Sequence, residues 1–572
     1  MTQEVFTKYL IIGAGPAGLQ MAYFLKKKNR DYVVLEKEST AGAFFATQPV
    51  HRNLLSINKK YNYFTEEEFN WRHDWNSLLS DDPEMRFTQY TDDLFPKAGV
   101  LYQYLQDFSQ HHALNVRYDC SVTKITRNEE QDFLVTTNNG DQYRCKVLLL
   151  GLGTTEPLMP TEIEGIELAT GYEKQELDLE LYKNKRVGII GGGNSAFETA
   201  DYLSGVAAYV HILTNSPVKM AWDTHFAGNV RAVNNNIFDM YQLKSMHAVL
   251  NPRLRKIEKI ENDVLQISHE YDYPDGNPPG TLKLTREYDY IIRCTGWKYV
   301  VPTMFAQDCA PAIAENEKYP VMSSSWESES TPDLYFIGAA MAGNDRQAAS
   351  SFIHGFRYNI RTLSNLLEEK YESAPYPTKT QEAFKLDQLL EWMYTRFSTS
   401  AALFQLFGHL SDVLVVSDDL KSTAIYEELP VQYAKENLLT SDHHVFVFTL
   451  EFGFKKFDES SITFLGPSDP TDSNCAAFLH PVIRYYRGDE MQEFHFGDSL
   501  LARWDMSHAK GGAVTSNHHA FLQWLEARLK TNFDIEAPED AGVYHKWSEK
   551  EKEMWERNNM NPASSPECVR PN

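Results

Sequence analysis

The chain has 572 residues, of which 42% are hydrophobic and 23% charged. That length predicts three or four folding units, and the balance is typical of a globular protein rather than a disordered one. Its 55 basic and 79 acidic residues give a formal net charge of −24, which argues against nucleic acid and anionic membranes as partners, because both are negatively charged. No segment approaches the ~20 apolar residues of a membrane span, and neither end resembles a secretory or retention signal, so we expect a cytoplasmic protein.

A βαβ unit is predicted at the start of the chain. The apolar run Tyr9–Ile12 predicts a buried parallel strand, followed by a helix over 16–28 and a strand over 32–35. Between strand and helix lies GAGPAG, Gly13–Gly18, and Glu36 stands eighteen residues further on. In such units the glycines permit a tight turn, close approach of a pyrophosphate and helix packing, while the acid binds a ribose. This context predicts a dinucleotide site.

A second unit of the same kind begins at Arg186. Its strand leads into GGGNSA, Gly191–Ala196, and a helix over 194–203, and the next strand ends at Leu213. Thr214 follows, and neither it nor the next residues are acidic. An acid there would bind the 2′-hydroxyl of NAD and repel the 2′-phosphate of NADP. The pattern favours NADPH and leaves NADH open; Lys219 is the nearest cation.

Two dinucleotide motifs imply two dinucleotides, and in two-dinucleotide oxidoreductases the first most often holds FAD. The predicted fold class is α/β, with two Rossmann-like dinucleotide-binding domains, the FAD-binding domain being interrupted by the NAD(P)H-binding domain, plus an α+β C-terminal region. We place the FAD-binding domain at 1–165 and 286–374, the NAD(P)H-binding domain at 166–285 and the C-terminal domain at 375–572. Pro375 and Pro377 mark that last boundary.

Periodicity predicts further elements. The helices are expected at 100–110, 351–367, 380–394 and 519–530, and strands at 445–454 and 482–486. The six cysteines include no C-x-x-C pair, which argues against a zinc site, a disulfide framework and a thioredoxin-reductase type of dithiol.

Two turns after buried strands resemble the "ATG" turns where such flavoproteins pass between their domains. They begin at Gly151 and at Thr295-Gly296. A late flavin-contacting motif is similar to the stretch at Gly338, although Ala339 replaces its usual Asp. A direct carboxylate contact to the ribityl chain is therefore not expected.

Several longer segments carry a family resemblance. They are Gln20-Met21, Gly42–Phe45, Leu55–Lys59, Arg72–Leu79, Gly193–Ala200, Tyr241–Ser245, His354–Tyr358 and His480–Tyr486. On these the chain resembles class B flavin-dependent monooxygenases and, more closely, the FAD-dependent oxidoreductase domain-containing family, which includes the endoplasmic-reticulum flavoprotein associated with degradation. One departure is the FxGxxxHxxx(Y/W) stretch of the monooxygenases: here Tyr172 stands in the place of the His and Glu176 in that of the final aromatic. This argues against Baeyer–Villiger chemistry and leaves N- and S-oxygenation open.

The resemblance implies a mechanism. NADPH would deliver hydride to flavin N5, oxygen would add at C4a, and the hydroperoxide would pass one oxygen to a nucleophilic nitrogen, of an amine or amino acid, or to sulfur. Asn58 stands where monooxygenases carry a flavin-facing Asn whose amide could hold the peroxide.

The resemblance and the motifs together define the candidate residues. The catalytic candidates are Asn58, Arg231 and His354, and the substrate candidates, which could clamp a carboxylate, are Arg52, Arg72, His73 and Arg346. The cofactor candidates are Gly13, Gly15, Pro16, Ala17, Gly18, Glu36, Lys37, Phe45, Asn58, Val122, Gly151, Gly191, Gly193, Asn194, Ser195, Ala196, Thr214, Thr295, Gly296 and Gly338. No metal site is predicted.

Two other functions stay open beside the monooxygenase, whose partners would be a small molecule and O₂. One is an FAD-dependent NAD(P)H oxidase or reductase that oxygenates nothing. The other is an FAD-containing protein that binds partners through its C-terminal region, a region that could instead form a homodimer contact or a substrate lid.

Overall fold

The computed structural model describes residues 4–240, 244–273, 279–382, 384–440, 442–453, 478–497, 499, 501–504 and 513–531. The chain forms two compact units, Met1–Lys60 with Asp74–Ser364, and Tyr61–His73 with Asn365–Asn572. The second unit therefore begins upstream of the predicted boundary at 375. It also takes in Tyr61–His73, an excursion that no sequence pattern indicated.

The secondary structure follows the predicted alternation through the first unit. The strands are β1 (Glu4–Ile12), β2 (Tyr32–Leu35), β3 (Val116–Arg117), β4 (Val122–Arg127), β5 (Phe133–Thr137), β6 (Gln142–Leu150), β7 (Thr170–Gly171), β8 (Arg186–Ile190), β9 (Tyr209–Leu213), β10 (Ala248–Leu250), β11 (Arg253–Lys259), β12 (Leu265–Tyr273), β13 (Gly280–Tyr288), β14 (Tyr290–Arg293), β15 (Leu334–Phe336), β16 (Thr378–Gln381), β17 (Leu410–Ser417), β18 (Thr423–Pro430), β19 (His443–Phe452), β20 (Leu479–Arg487) and β21 (Glu490–His495). The α-helices are α1 (Pro16–Lys27), α2 (Phe44–Thr47), α3 (Glu67–Asn70), α4 (Ala98–His111), α5 (Asn194–Leu203), α6 (Ala221–Thr224), α7 (Asn236–Asp239), α8 (Ile353–Glu372), α9 (Leu386–Thr399), α10 (Ala401–Gln405), α11 (Val431–Asn437) and α12 (Ala513–Leu529).

The first sheet of unit one carries the first glycine motif. Its strand order is β3-β2-β1-β6-β5-β4, with β15 paired to β6. Strand β1 runs parallel to β2 and to β6, and β15 runs parallel to β6. The apolar runs Tyr9–Ile12 and Val147–Leu150 are buried at the centre, as continuous apolar strands of parallel sheets are. The carboxyl ends of β1, β2, β6 and β15 therefore lie along one edge.

Glycines at that edge are required by backbone packing. Gly13 has a φ of +102°, and a Cβ there would lie 2.5 Å from the Gly151 carbonyl oxygen. A Cβ on Gly18 would lie 1.8 Å from the Gly13 carbonyl oxygen. Helix α1 thus packs directly on the turn that precedes it, and the turn packs on the end of β6.

The second sheet of unit one is parallel throughout, in the order β10-β9-β8-β14-β7. Strand β14 pairs with β8 and with β7. The boundary predicted at 286 falls within β13, and Tyr290–Arg293, which follows it, pairs with strands of the second sheet. The antiparallel sheet β11-β12-β13 is inserted between β10 and β14.

The second unit is an antiparallel α+β structure. Its sheet has the order β16-β18-β17-β19-β20-β21, and apolar residues of α9 and α12 share a core with it. A helix over 380–394 was predicted, but the chain there first forms β16 and then α9, which begins at Leu386. Phe454, the predicted end of a strand, lies outside the described residues; helix α12 begins at Ala513, earlier than predicted.

None of the helices formed by the described residues combines the length and apolar character that a membrane crossing requires.

The contact between α1 and its preceding turn yields the first prediction. Gly18→Ala places a methyl group on the Gly13 carbonyl, so helix and turn must separate, at a cost of about 1–3 kcal/mol. We expect a lower thermal midpoint and a lower FAD content of the purified protein. Gly99→Ala is the control, because a Cβ on Gly99 meets nothing within 4 Å. A Gly18→Ala protein with unchanged midpoint and flavin content would contradict this account.

Candidate functional site

The first glycine turn is shaped to receive the pyrophosphate of FAD. A Cβ on Gly15 would meet nothing within 4 Å, and this N-cap residue of α1 has no side chain to cap the helix, so the first-turn amides remain available to an anion. The Glu36 carboxylate, at the end of β2, accepts hydrogen bonds from the main-chain amides of Ala14 at 2.7 Å and Glu38 at 3.0 Å. An acid is thereby held beside the turn, where a ribose hydroxyl can reach it. These residues fit FAD.

The second glycine turn has the same features. Gly191 has a φ of +139°, and a Cβ there would lie 2.2 Å from the Cys294 carbonyl oxygen. A Cβ on Gly193 would meet nothing within 4 Å, and this N-cap residue of α5 has no side chain to cap the helix. The Thr214 hydroxyl donates to the Ser216 carbonyl at 2.7 Å, which closes the turn after β9. The residues fit a nicotinamide dinucleotide.

Asn194 serves a purpose that the motif alone does not indicate. Its Nδ2 donates to the Asn229 carbonyl at 2.7 Å, and its Oδ1 accepts from the Arg231 amide at 2.9 Å. The side chain is therefore committed to the loop that carries Arg231. This predicted cofactor residue positions a loop beside the second glycine turn.

Other predicted cofactor residues surround the two turns. A Cβ on Gly338, with a φ of +80°, would lie 2.7 Å from Ala17 Cβ, so this glycine packs against α1. The Thr295 hydroxyl donates to the Leu158 carbonyl at 2.6 Å, and Gly296 has a φ of +88°. Pro16 is at the start of α1, where its missing amide hydrogen costs nothing.

Five further cofactor candidates have ordinary surroundings. Ser195 and the buried Ala196 lie in the first turn of α5. Lys37 is exposed and lies 3.6 Å from the Glu38 carboxylate, the Phe45 ring packs edge-on to Phe44, and Val122 begins β4.

A cavity of about 430 Å³ lies in the first unit. Three predicted residues from distant parts of the sequence, Arg231, His354 and Arg346, line it together. Of the other lining residues, Asn194 was a cofactor candidate, Leu55, Ser56 and Trp75 lie in the family segments, and the rest were not indicated by the sequence. The rest are Phe226, Ala227, Gly228, Tyr299, Lys318, Tyr319, Ser351 and Phe352.

One wall of the cavity is a stack of rings. The His354 ring lies 4.1 Å from Trp75 at an interplanar angle of 18°, and 5.5 Å from Phe352 at 16°. Arg231 lies over the Trp75 ring at 5.2 Å and donates to the Leu55 carbonyl at 2.9 Å. Burial, with the positive charges of Arg357 and Arg231, lowers the pKa of His354 well below its ordinary value. His354 is therefore neutral at physiological pH.

Asn58 is buried beside this wall and does not line the cavity. Its main chain bridges to Asp74, next to Trp75. Its Nδ2 donates to the Thr91 carbonyl at 2.7 Å. Within the described part of the chain its Oδ1 accepts no hydrogen bond, and a buried amide oxygen in that state is open to a ligand donor.

Three predicted substrate residues are not brought to the cavity. Arg72 belongs to the second unit, where its guanidinium donates to the carbonyls of Phe397 at 2.8 Å and Ala502 at 2.9 Å. His73, in the same unit, packs against the rings of Phe69 and Phe404. Arg52 donates to the main chain of its own turn, including the Phe45 carbonyl at 2.7 Å. The main-chain carbonyls and rings that these side chains contact belong to local structure.

Tyr172, which replaces the histidine of the monooxygenase stretch, connects distant segments. Its hydroxyl accepts from the Val50 amide at 3.0 Å and donates to the Glu198 carboxylate at 3.3 Å. The His51 ring lies 6.2 Å away, and burial lowers its pKa to about 4. Burial also raises the pKa of Glu198 to about 7. The Tyr172 hydroxyl therefore connects helix α5, which follows the second glycine turn, to the segment around Val50, which follows the first βαβ unit.

Comparison with known proteins gives the family. The family model described as pyridine nucleotide-disulphide oxidoreductase matches residues 10–338. FAD-dependent oxidoreductase domain-containing protein 2 of Mus musculus is 36% identical over 84% of this chain and 76% of its own length. The chain belongs to the FAD-dependent oxidoreductase domain-containing family. The Danio rerio protein of the same name is 34% identical over 92% of this chain and 84% of its own length.

Members of this family are oxidoreductases that use FAD, and so is this chain. A more distant relative, the flavin-containing monooxygenase FMO GS-OX-like 3 of Arabidopsis thaliana, is 24% identical over 57% of this chain and 70% of its own length. The two sheets with parallel strands that lead into glycine turns are the expected fold. The family also implies a nicotinamide cofactor. The choice between NADPH and NADH depends on the residues after β9.

The cysteines differ from those of a disulfide reductase. The four in the described residues, Cys120, Cys145, Cys294 and Cys309, are buried and unpaired, and burial raises the pKa of Cys294 to about 12. A thiol of that kind is a poor nucleophile. Cys475 and Cys568, like Tyr241–Leu243 of the family segments, lie outside the described residues.

The raised pKa of Glu198 yields the second prediction. Because it lies at about 7, above the ordinary 4.5, the folded protein keeps a proton that the unfolded chain releases, and stability falls as pH rises through this window. Glu198→Gln removes that titration. From pH 5 to 7 we expect the free energy of unfolding, measured in urea, to fall in the wild type relative to the Glu198→Gln variant. The difference should change by up to about 1.4 kcal/mol per pH unit.

The control for this experiment is Glu167→Gln, which alters an exposed carboxylate and should leave the pH profile of stability as it is in the wild type. Parallel profiles for wild type and Glu198→Gln would show that Glu198 ionises normally in the folded protein.

Proposed function

We propose that this chain is an NAD(P)H-dependent FAD monooxygenase that transfers one oxygen atom of O₂ to a nucleophilic nitrogen or sulfur of a small molecule. The observation that carries the proposal is the cavity. It is lined by Asn194 of the nicotinamide motif, by Leu55 and Ser56 next to the Asn58 segment, and by the neutral His354. Its volume is in the range of small-molecule sites.

The bound FAD supplies the redox chemistry, accepting hydride from the nicotinamide and activating O₂. The chain supplies binding and orientation. The amides at the start of α1 and the open space at Gly15 would hold the FAD pyrophosphate, and Glu36 its ribose. The start of α5 and Gly193 would hold the nicotinamide dinucleotide in the same way.

The cavity wall suits oxygen transfer to an amine or thioether. Trp75, His354 and Phe352 stack into an apolar surface, which limits the water that would divert the activated oxygen. The lowered pKa of His354 makes it a poor proton acceptor, so it presents a neutral ring to the substrate rather than acting as a general base. The buried, unpaired cysteines of the described residues offer no support for disulfide reduction. The name of the Arabidopsis relative supports the same activity.

The experiment that tests the function compares cofactor use with peroxide release. Purified holoenzyme is supplied with NADPH, O₂ and a panel of amines, amino acids and thioethers, and NADPH oxidation, H₂O₂ and product are measured together. A monooxygenase forms oxygenated product with at least one of them. Complete conversion of consumed NADPH to H₂O₂ across the panel would instead favour the oxidase.

Asn58 is expected to control the coupling of this reaction. Asn58→Ala removes the buried amide next to the Trp75 wall, so we expect a larger share of the consumed NADPH to appear as H₂O₂. A loss of one hydrogen bond to an activated group corresponds to about a tenfold change. Asn53→Ala, an exposed asparagine of the same segment, should keep wild-type coupling. Equal coupling in both variants would remove Asn58 from the mechanism.

Lys219 is expected to favour NADPH over NADH. It is exposed after β9, downstream of the turn at Thr214, where the 2′-phosphate of NADP would lie. Lys219→Gln should raise the KM for NADPH about threefold to tenfold and leave the KM for NADH unchanged, as steady-state kinetics can show. Lys183→Gln, an exposed lysine that pairs with Glu180, serves as control. Equal effects on both cofactors would disprove the assignment.

A further inference from the structure

The charged side chains of the cavity are all positive. Among the described residues that line it, Arg231, Lys318 and Arg346 carry charge, and none is acidic. The whole chain has a net charge of −24, so the positive charge of the cavity is opposite in sign to that of the chain as a whole. A cavity of one charge sign concentrates ligands of the other.

Lys318 is held in place by its own turn. Its amide donates to the Asn316 Oδ1 at 2.9 Å, and its carbonyl accepts from the Tyr299 amide at 3.1 Å. Its ammonium lies 5.6 Å from the centre of the Tyr299 ring and 5.5 Å from that of Tyr319. These two rings stack on each other at 4.9 Å and 21°. The main chain of Lys318 is thus anchored, and its ammonium lies over an aromatic pair.

Arg346 brings a second positive charge to the same rings. Its guanidinium lies 4.9 Å from the centre of the Tyr319 ring. Burial, and then the charge of Arg346, lower the pKa of Lys318. In the described part of the chain no carboxylate lies within 4 Å of either cation, whereas Lys298 nearby pairs with Glu317 at 3.1 Å. Two adjacent cations without a counterion repel each other, and an anionic ligand would relieve that repulsion.

We propose that Lys318 and Arg346 form an anion subsite of the cavity, which holds the carboxylate or phosphate of a ligand whose flat or apolar part packs on the ring stack of Trp75 and Phe352 in the same cavity. The monooxygenase thereby prefers anionic substrates; this identification of the ligand as substrate rests on the proposed function. The same anionic group could come from a phosphate of the nicotinamide cofactor, so the experiment separates the two sources.

The test is isothermal titration calorimetry of the FAD-loaded protein at constant ionic strength. Benzoate is the probe for a flat carboxylate, benzamide is its neutral equivalent, and NADP⁺ and inorganic phosphate probe the cofactor source. We expect benzoate to bind about tenfold more tightly than benzamide, as a charge-assisted hydrogen bond provides. Equal affinities for benzoate and benzamide, with phosphate unbound, would overturn the subsite.

Variants locate the anion. Lys318→Gln and Arg346→Gln should each weaken benzoate about tenfold and leave benzamide unchanged, while Lys318→Arg restores most of the affinity. Lys298→Gln, which removes a lysine already paired with Glu317, should behave as wild type. If Lys318→Gln weakens NADP⁺ and phosphate but not benzoate, the subsite holds the cofactor and the substrate preference is wrong. If it weakens none of the probes, the subsite is wrong altogether.

These measurements need no turnover, so they remain informative if the proposed function fails. An oxidase that releases only H₂O₂ could still bind benzoate through Lys318, and that result would reject the monooxygenase while keeping the subsite. The opposite result is a working monooxygenase that prefers neutral substrates and whose benzoate affinity does not depend on Lys318. That result would keep the proposed function and reject the subsite.

Discussion

The first unit depends on the close contact between the backbone of α1 and that of the turn before it. Only hydrogen at Gly18 lets the helix approach the Gly13 carbonyl, and only a positive φ at Gly13 lets that turn approach Gly151 at the end of β6. This contact holds the first amides of α1 above the sheet edge. The space that a side chain at Gly15 would occupy is thereby left open for a phosphate.

The second dinucleotide unit repeats this geometry and adds a connection to the cavity. Gly191 packs on the Cys294 carbonyl, as Gly13 packs on that of Gly151. Asn194, the next residue after the open glycine, holds the loop of Arg231. Arg231 in turn reaches the Leu55 carbonyl and the Trp75 ring. The nicotinamide motif and the aromatic wall are therefore parts of one hydrogen-bonded structure.

Tyr172 departs from the monooxygenase stretch and has a structural role in this chain. The monooxygenase stretch has a histidine there, and the phenol of this chain bonds the Val50 amide and the Glu198 carboxylate. A tyrosine reaches further than a histidine and stays neutral over the whole physiological range, since burial raises its pKa further. Its partner Glu198 therefore carries the pH sensitivity of this contact.

The sequence by itself determined the two cofactor turns, because glycine spacing, apolar strand runs and the position of Glu36 are local properties of the chain. It also indicated Arg231, His354 and Arg346, which lie far apart in the chain and line one cavity. Only the tertiary structure decided that Arg72 and His73 belong to the second unit, that β14 joins the second sheet, and that no carboxylate of the described residues lies within 4 Å of the Lys318 ammonium. Each of those facts depends on which segments, far apart in the sequence, contact each other in the fold. Burial, strand pairing and charge compensation are set by those contacts and not by any local sequence pattern.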